Sequence, residues 1–172
     1  MNKAKPLRFG RLFNIAFIAI LCAIIVFFVG VVFAFIIVQV PSGSMYPTIS
    51  LNDKLFVSRD SDLKRGDIAV FINYEVGIVL IKRTIGLPGD LVDIVDGDVY
   101  INGEYLEEDY IGFKSYETMS FSVPEDCYLF FGDNRAESAD SRYWNNPYIH
   151  KSNLIGKAVY RFYPISRVGK IF

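Results

Sequence analysis

"LFNIAFIAILCAIIVFFVGVVFAFIIV", residues 12–38, runs for 27 residues with no charge and one strongly polar side chain, Asn14. A helix needs about 20 apolar residues to cross the hydrocarbon core, so this segment is long enough to span with some tilt. The h-region of a secretory signal peptide has roughly 7 to 15 residues and ends at a small-residue cleavage site. This run is far longer and ends in "FIIVQVP". It is read as an uncleaved transmembrane anchor. A buried core helix of this kind would need partners on every side, more than the rest of a 172-residue chain could supply.

Charge sets the orientation. Residues 1–11, "MNKAKPLRFGR", carry Lys3, Lys5, Arg8 and Arg11 and no acid. An excess of Lys and Arg beside a spanning helix stays on the cytoplasmic side, which puts the rest of the chain on the extracytoplasmic side of the cell membrane. Four of the 18 Lys and Arg lie in that tail, so the outer part holds 14 bases against 19 acids. It is mildly acidic, with no basic stripe to suggest a nucleic-acid partner. Cys22 sits within the span and Cys127 far outside it, so no disulfide framework is implied.

Past Pro41 the pattern changes to short apolar or alternating runs broken by turn residues: residues 54–58, 67–72, 77–85, 91–95, 98–101, 120–123, 127–131 and 154–163. Runs of 4 to 8 residues suit strands, not helices, and Asp96-Gly97 and Asn102-Gly103 are hairpin dipeptides. The expected fold is all-β: a mostly antiparallel, β-rich domain attached to one N-terminal transmembrane α-helix. Its segments are a basic cytoplasmic tail (1–11), the anchor (12–38) and the extracytoplasmic domain (39–172).

Candidate chemistry is sparse. The single histidine, His150, lies in "NNPYIHKSN", which reads as a loop, so a Ser-His-Asp triad would rest on it alone. No His/Cys/Asp/Glu cluster has metal-ligand spacing, and no Gly-rich loop precedes a helix to hold phosphate. A base must come from elsewhere. In "VGIVLIKRTIGL" the two-residue period puts Leu80, Lys82 and Thr84 on one face and Ile81, Arg83 and Ile85 on the other, so one of the two cations is expected to point inward. A lysine acts as a base only when neutral. A fall from about 10.4 to about 8 is roughly 3 kcal/mol of differential stabilisation, which burial among apolar strands supplies. A lysine at a strand edge with its amine in water satisfies the same pattern.

"VPSGSMYPTI", residues 40–49, offers a nucleophile: two hydroxyls around Gly43, stiffened by Pro41 and Pro47. An ordinary proline-rich linker fits it as well, and it lacks the final glycine of a G-x-S-x-G elbow. "GDNRAESADSRYW", residues 132–144, is a polar loop directly after the apolar run "CYLFF". Function on a loop held by a rigid strand fits this composition, and so does a solvated turn with a surface Asp140/Arg142 pair.

The order of the motifs is more specific than any one of them. "SGSMYPT" after an apolar span, then "RGDIAVF", "IKRTIGLPGD" and "GDNRAESADSR", closely resembles the type I bacterial signal peptidases, serine endopeptidases with a Ser/Lys dyad. The resemblance covers nearly the whole chain and looks like the compact, single-anchor kind. It implies Ser44 as nucleophile and Lys82 as general base, with Ser42 and the Ser44 amide as oxyanion hole. It also implies that Ser138 hydrogen-bonds and orients the lysine, and that Asp140 and Arg142 form a structural ion pair. Ala136 and Glu137 depart from the more usual Asp-Asn of the family. The implied substrates are secretory preproteins, cut after a small residue at an Ala-x-Ala type site, with the lipid bilayer as the other partner and no metal or cofactor. Ser44 lies six residues beyond Val38, about 20 Å at full extension, close to where signal peptides emerge. For the peptide's pockets the sequence points to Met45 and the apolar residues from Ile68 to Ile72.

Overall fold

A computed structural model describes residues 7–60 and 62–171, and within the helix the side chains of residues 13–30 and 32–34. Lys3 and Lys5 lie outside the described residues, as do the side chains of Arg8 and Arg11. The chain divides into two compact units, Met1–Phe35 and Ile36–Phe172.

The first unit is the helix α1, Leu7–Ala34. Its stretch Phe13–Ala34, 22 residues with mean hydropathy 3.3, is long and apolar enough to cross a membrane. Every described side chain on it is exposed, and its apolar surface covers the whole circumference. The apolar run of residues 12–38 is not one element, however. It divides at Ala34, and Phe35–Gln39 forms a strand, β1. "FIIVQ" is aromatic and β-branched, and only Ile36 and Val38 on one face pack against the core of the second unit. Apolarity alone could not separate the two elements, because both are continuous greasy runs.

The second unit continues with β2 (Lys54–Ser58), β3 (Ile68–Asn73), β4 (Ile78–Gly86), β5 (Leu91–Val95), β6 (Asp98–Ile101), β7 (Glu104–Tyr105) and β8 (Met119–Ser122). After these come β9 (Cys127–Phe131), β10 (Tyr148–His150), β11 (Leu154–Tyr163) and β12 (Gly169–Lys170). Eight strands form one sheet in the order β1-β2-β11-β3-β4-β9-β10, with β12 on β11; four form a second in the order β7-β6-β5-β8. All the registers from β2 onward are antiparallel. The expected all-β, antiparallel class with one N-terminal apolar helix is what the structure contains. The hairpin dipeptides turn as read: Asp96 and Gly97 have φ of 50° and 84°, and Asn102 and Gly103 have 53° and 86°, as a type I′ turn requires. His150 is not in a loop but ends β10, where its ring accepts the Ser152 N–H and caps a short 3₁₀ turn.

Two strands matter most for the site. β4 is buried on both faces from Ile81 onward, with β3 along one edge and β9 along the other. β9 pairs with β4 only from Arg83 to Gly86, so along that edge the first half of β4 is left free. Under the sheet, Phe71 of β3 and Phe130 of β9 stack with ring centroids 4.3 Å apart. Phe130 is fully buried, so Phe130→Ala is expected to lower stability by about 3 to 5 kcal/mol through lost contacts and the cavity left behind. Chemical denaturation of the detergent-solubilised protein checks this, and an unchanged midpoint would contradict the packing described.

Candidate active site

Residues 40–49 are a turn held down by three buried side chains. Val40, Met45 and Ile49 are buried in one apolar cluster with Leu55, Val57, Val70 and Ile81. Backbone bonds close the turn, Tyr46 N–H to Gly43 O at 3.1 Å and Ile49 N–H to Met45 O at 2.8 Å. Burying Met45 turns its neighbour Ser44 the other way, half-exposed, towards β4. Lys82 Nζ donates to Ser44 Oγ at 2.6 Å, and Ser42 Oγ lies 3.3 Å from the same oxygen. The two motifs, 38 residues apart in the chain, therefore meet at one pair of atoms.

Lys82 is 2% exposed. Desolvation by the surrounding strands is the largest influence on its amine and pulls its pKa down to about 8; Asp140 opposes the shift, Arg142 adds to it and Asp133 opposes it. Arg83 is equally buried, so the expectation that one of the two cations points inward is corrected: both do. Alternation sends them to opposite faces, but here both faces of β4 are covered.

Arg83 survives burial because every part of its guanidinium is satisfied. It binds Asp133 in a two-point contact at 2.8 and 2.6 Å, donates to Gly66 O at 2.7 Å, and lies 3.8 Å from the centre of the Tyr110 ring. Asp133 also accepts from Thr48 Oγ1 at 2.6 Å, tying the far end of the Ser44 turn to β4.

The loop after β9 supplies the rest. Asp140 and Arg142 form an ion pair at 2.8 Å that is buried, not on the surface. Asp140 Oδ2 also accepts the Gly132 N–H at 2.8 Å. Asn134 N–H donates to Ser44 O at 3.0 Å, holding the loop against the turn. Ser138 Oγ is buried in the same place but has no hydrogen-bond partner among the described residues. The expected Ser138–Lys82 hydrogen bond is absent from this arrangement, where the amine contacts Ser44 instead.

Gly132 is the glycine that the geometry demands. A Cβ there would sit 2.2 Å from Ser138 Oγ and 2.5 Å from Ser44 O, whereas one on Gly43 would meet nothing within 4 Å. Gly43 thus leaves open space above the turn and does not use unusual backbone freedom. Gly132, Asp133, Asn134 and Arg83 were not singled out from sequence as site residues. The available signal was the abrupt "GDN" after a wholly apolar strand.

A strap of residues 106–118, between β7 and β8, closes one side. Glu108 holds Arg135 in a two-point contact at 3.1 and 2.5 Å, and Ser115 Oγ accepts from Arg142 at 2.6 Å. On the other side a shallow cleft leads to the dyad, lined by Val40, Pro41, Ser42 and by Val79, Leu80 and Ile81 of β4. Met45 touches that cleft, but Ile68, Ala69, Val70 and Phe71 are buried and, like the half-buried Ile72, are not among the residues that line it. The pocket wall is therefore β4, not β3. Among the described residues no group of three or more His, Cys, Asp or Glu side chains could hold a metal.

Residues 12–163 match the family model described as signal peptidase, peptidase S26. The chain is 43% identical over 141 residues to a probable signal peptidase I-2 of Synechocystis, covering 76% of this chain and 64% of that protein. It is 42% identical over 145 residues to a signal peptidase I of Leptolyngbya laminosa, covering 77% and 70%. The chain thus spans about two thirds of the length of these relatives. Among solved structures, a signal peptidase I of Enterococcus faecalis aligns with a TM-score of 0.51 at 32% identity, over 56% of this chain and 96% of that one.

The Lys82 amine is expected to titrate near 8, well below a solvated lysine. The 13Cε shifts of labelled lysines followed against pH, with Lys82→Met to assign the resonance, check this; a midpoint above 10 would mean that the amine is in water.

Proposed function

The chain belongs to the signal peptidase family, peptidase S26, and on that premise we propose that it is a membrane-anchored serine endopeptidase that removes signal peptides from secretory preproteins. The observation that carries this reading is the 2.6 Å contact between Lys82 Nζ and Ser44 Oγ, made by a buried amine. A hydroxyl becomes a nucleophile only beside a base, and a lysine is a base only when uncharged. With a pKa of about 8 the amine is neutral in about a tenth of molecules at pH 7. At an unperturbed 10.4 the fraction would be about 0.0004, too small to sustain the chemistry.

In the proposed reaction, neutral Lys82 takes the Ser44 proton as Oγ attacks the carbonyl of the small residue that ends the signal peptide. The tetrahedral oxyanion is held by Ser42 Oγ and the Ser44 N–H, which donates to no protein acceptor among the described residues. Protonated Lys82 then gives its proton to the departing amine. A water activated by the same lysine releases the acyl group and restores Ser44. Ser138, with its unpartnered hydroxyl, is the second group to steady the amine once Ser44 has given up its proton. Asp140 and Arg142 keep Gly132, and through it the loop, against the turn.

Peptide binding follows from the open half of β4. Among the described residues the backbone of Ile78 to Ile81 has β3 on one edge and no strand on the other, so an extended peptide adds there as a further strand. Its side chains alternate into the cleft between β4 and residues 40–42, which is shallow and suits small groups. In the membrane, Lys3, Lys5, Arg8 and Arg11 keep the amino end cytoplasmic and the β unit outside. Because α1 ends at Ala34, ten residues lead to Ser44, at most about 35 Å of chain. That tether holds the hydroxyl near the surface where precursors, anchored by their own apolar segments, present their cleavage sites.

Cleavage of a precursor with an Ala-x-Ala site tests the reading. Ser44→Ala and Lys82→Met are each expected to lose at least about a thousandfold in kcat/KM while the fold persists, and normal processing by either would overturn the dyad assignment. The active form is the deprotonated one, so kcat/KM is expected to rise about tenfold per pH unit below 8 and level off above it. A flat profile from pH 5 to pH 8 would exclude Lys82 as the base.

A further inference from the structure

The rim beyond Ser44 carries chemistry that the proposed reaction does not use. Tyr46 and Phe113 are 46% and 54% exposed and stack with ring centroids 6.2 Å apart and planes inclined by 25°. Phe113 forms a backbone bridge with Asn134. Asn134 in turn donates through its side-chain amide to Glu137 Oε2 at 3.1 Å and, more weakly, to Gly43 O at 3.4 Å. Two exposed aromatic faces and a carboxylate therefore form one continuous ledge, attached to the Ser44 turn at Gly43 and Tyr46. Glu108, Asp133 and Asp140 around the site are each neutralised by an arginine. Glu137 is exposed and has no ion-pair partner among the described residues.

Resting on the peptidase reading above, we infer that this ledge binds the part of the substrate beyond the scissile bond and selects a Lys or Arg side chain there over an acidic one. The acyl side of the peptide occupies the cleft made by residues 40–42 and β4. The ledge borders Ser44 through Tyr46, its second neighbour in the chain, and through Asn134, which bridges Gly43 O and Glu137, and none of its residues lines that cleft, so a peptide that crosses Ser44 Oγ leaves over Tyr46, Phe113 and Glu137. A carboxylate beside aromatic faces is complementary to a cation with an apolar stem, which lies along the rings while its charge meets the acid. A unit charge about 7 Å from Glu137 in a water-like dielectric changes affinity about threefold, so Lys and Glu substrates differ about sevenfold. Added salt weakens the discrimination.

The experiment uses the full chain in detergent with precursor peptides that differ only in Lys, Gln or Glu at the second residue after the cleaved bond. For the wild type the kcat/KM ratio of Lys to Glu peptides is expected to be about seven, and to shrink as salt is raised. Glu137→Gln should bring the ratio to about one, Glu137→Lys should invert it, and Glu137→Asp should retain it. Phe113→Leu should lower the Lys-to-Gln ratio of kcat/KM. A ratio near one in the wild type, or one that ignores the charge at position 137 while the Gln peptide is still cleaved, overturns the inference and leaves the peptidase reading standing. No cleavage of any peptide by the wild type, equal to Ser44→Ala, overturns the peptidase reading itself and the inference with it.

Discussion

A lysine amine buried 2.6 Å from a serine hydroxyl is the constraint around which the β unit is arranged. An ammonium ion in that position is desolvated, so the strands that enclose it lower its pKa. Desolvation lowers the pKa, and the nearest carboxylate, Asp140, works against it. Arg142 is bound to that carboxylate and opposes its effect at the amine. The pKa of the Lys82 amine is therefore set by burial on one side and the Asp140–Arg142 pair on the other.

The same logic explains why so many charges lie inside a small domain. Arg83 with Asp133, Arg135 with Glu108, and Arg142 with Asp140 are all buried pairs around one turn and one loop. Buried pairs of this sort add little net stability, because desolvating two ions offsets most of their attraction. Their value is directional: each carboxylate or guanidinium binds in two-point or multiple contacts, which fixes the angle between the elements that carry them. Asp133 joins β4 to the turn through Thr48, and Asp140 sets Gly132 where its missing side chain lets the loop approach Ser44 O.

The smaller sheet contributes indirectly. Its strap, residues 106–118, covers the guanidinium of Arg83 with Tyr110, pairs Arg135 through Glu108 and caps Arg142 with Ser115. Gly112 also packs against Pro47, where a Cβ would come within 2.7 Å of the proline ring. The three arginines are thus shielded from water by a segment that carries no reacting group. Val79, Leu80 and Ile81 of β4 line the cleft, and no strap residue does.

Much of this was legible in the sequence, for identifiable reasons. Period-2 runs and Asp-Gly and Asn-Gly turns are local signals, and they marked eight strands and two hairpins within a residue or so. The short strands β7, β10 and β12 escaped because two or three residues carry no period, and β1 escaped because it continues the apolar run of the helix. Ser42, Ser44 and Lys82 have bland local readings, and it is the order of four motifs, through their resemblance to the signal peptidases, that marks them. What the sequence determined by itself was the set of elements, the apolar helix and the chemically able residues, since these depend on neighbours a few positions away. Only the tertiary structure decided that Arg83 is as buried as Lys82, that Asp140 and Arg142 lie inside, that Gly132 must lack a side chain and that β4 walls the cleft. Each of those facts depends on which distant strand or loop covers a given face, and no short-range pattern encodes that.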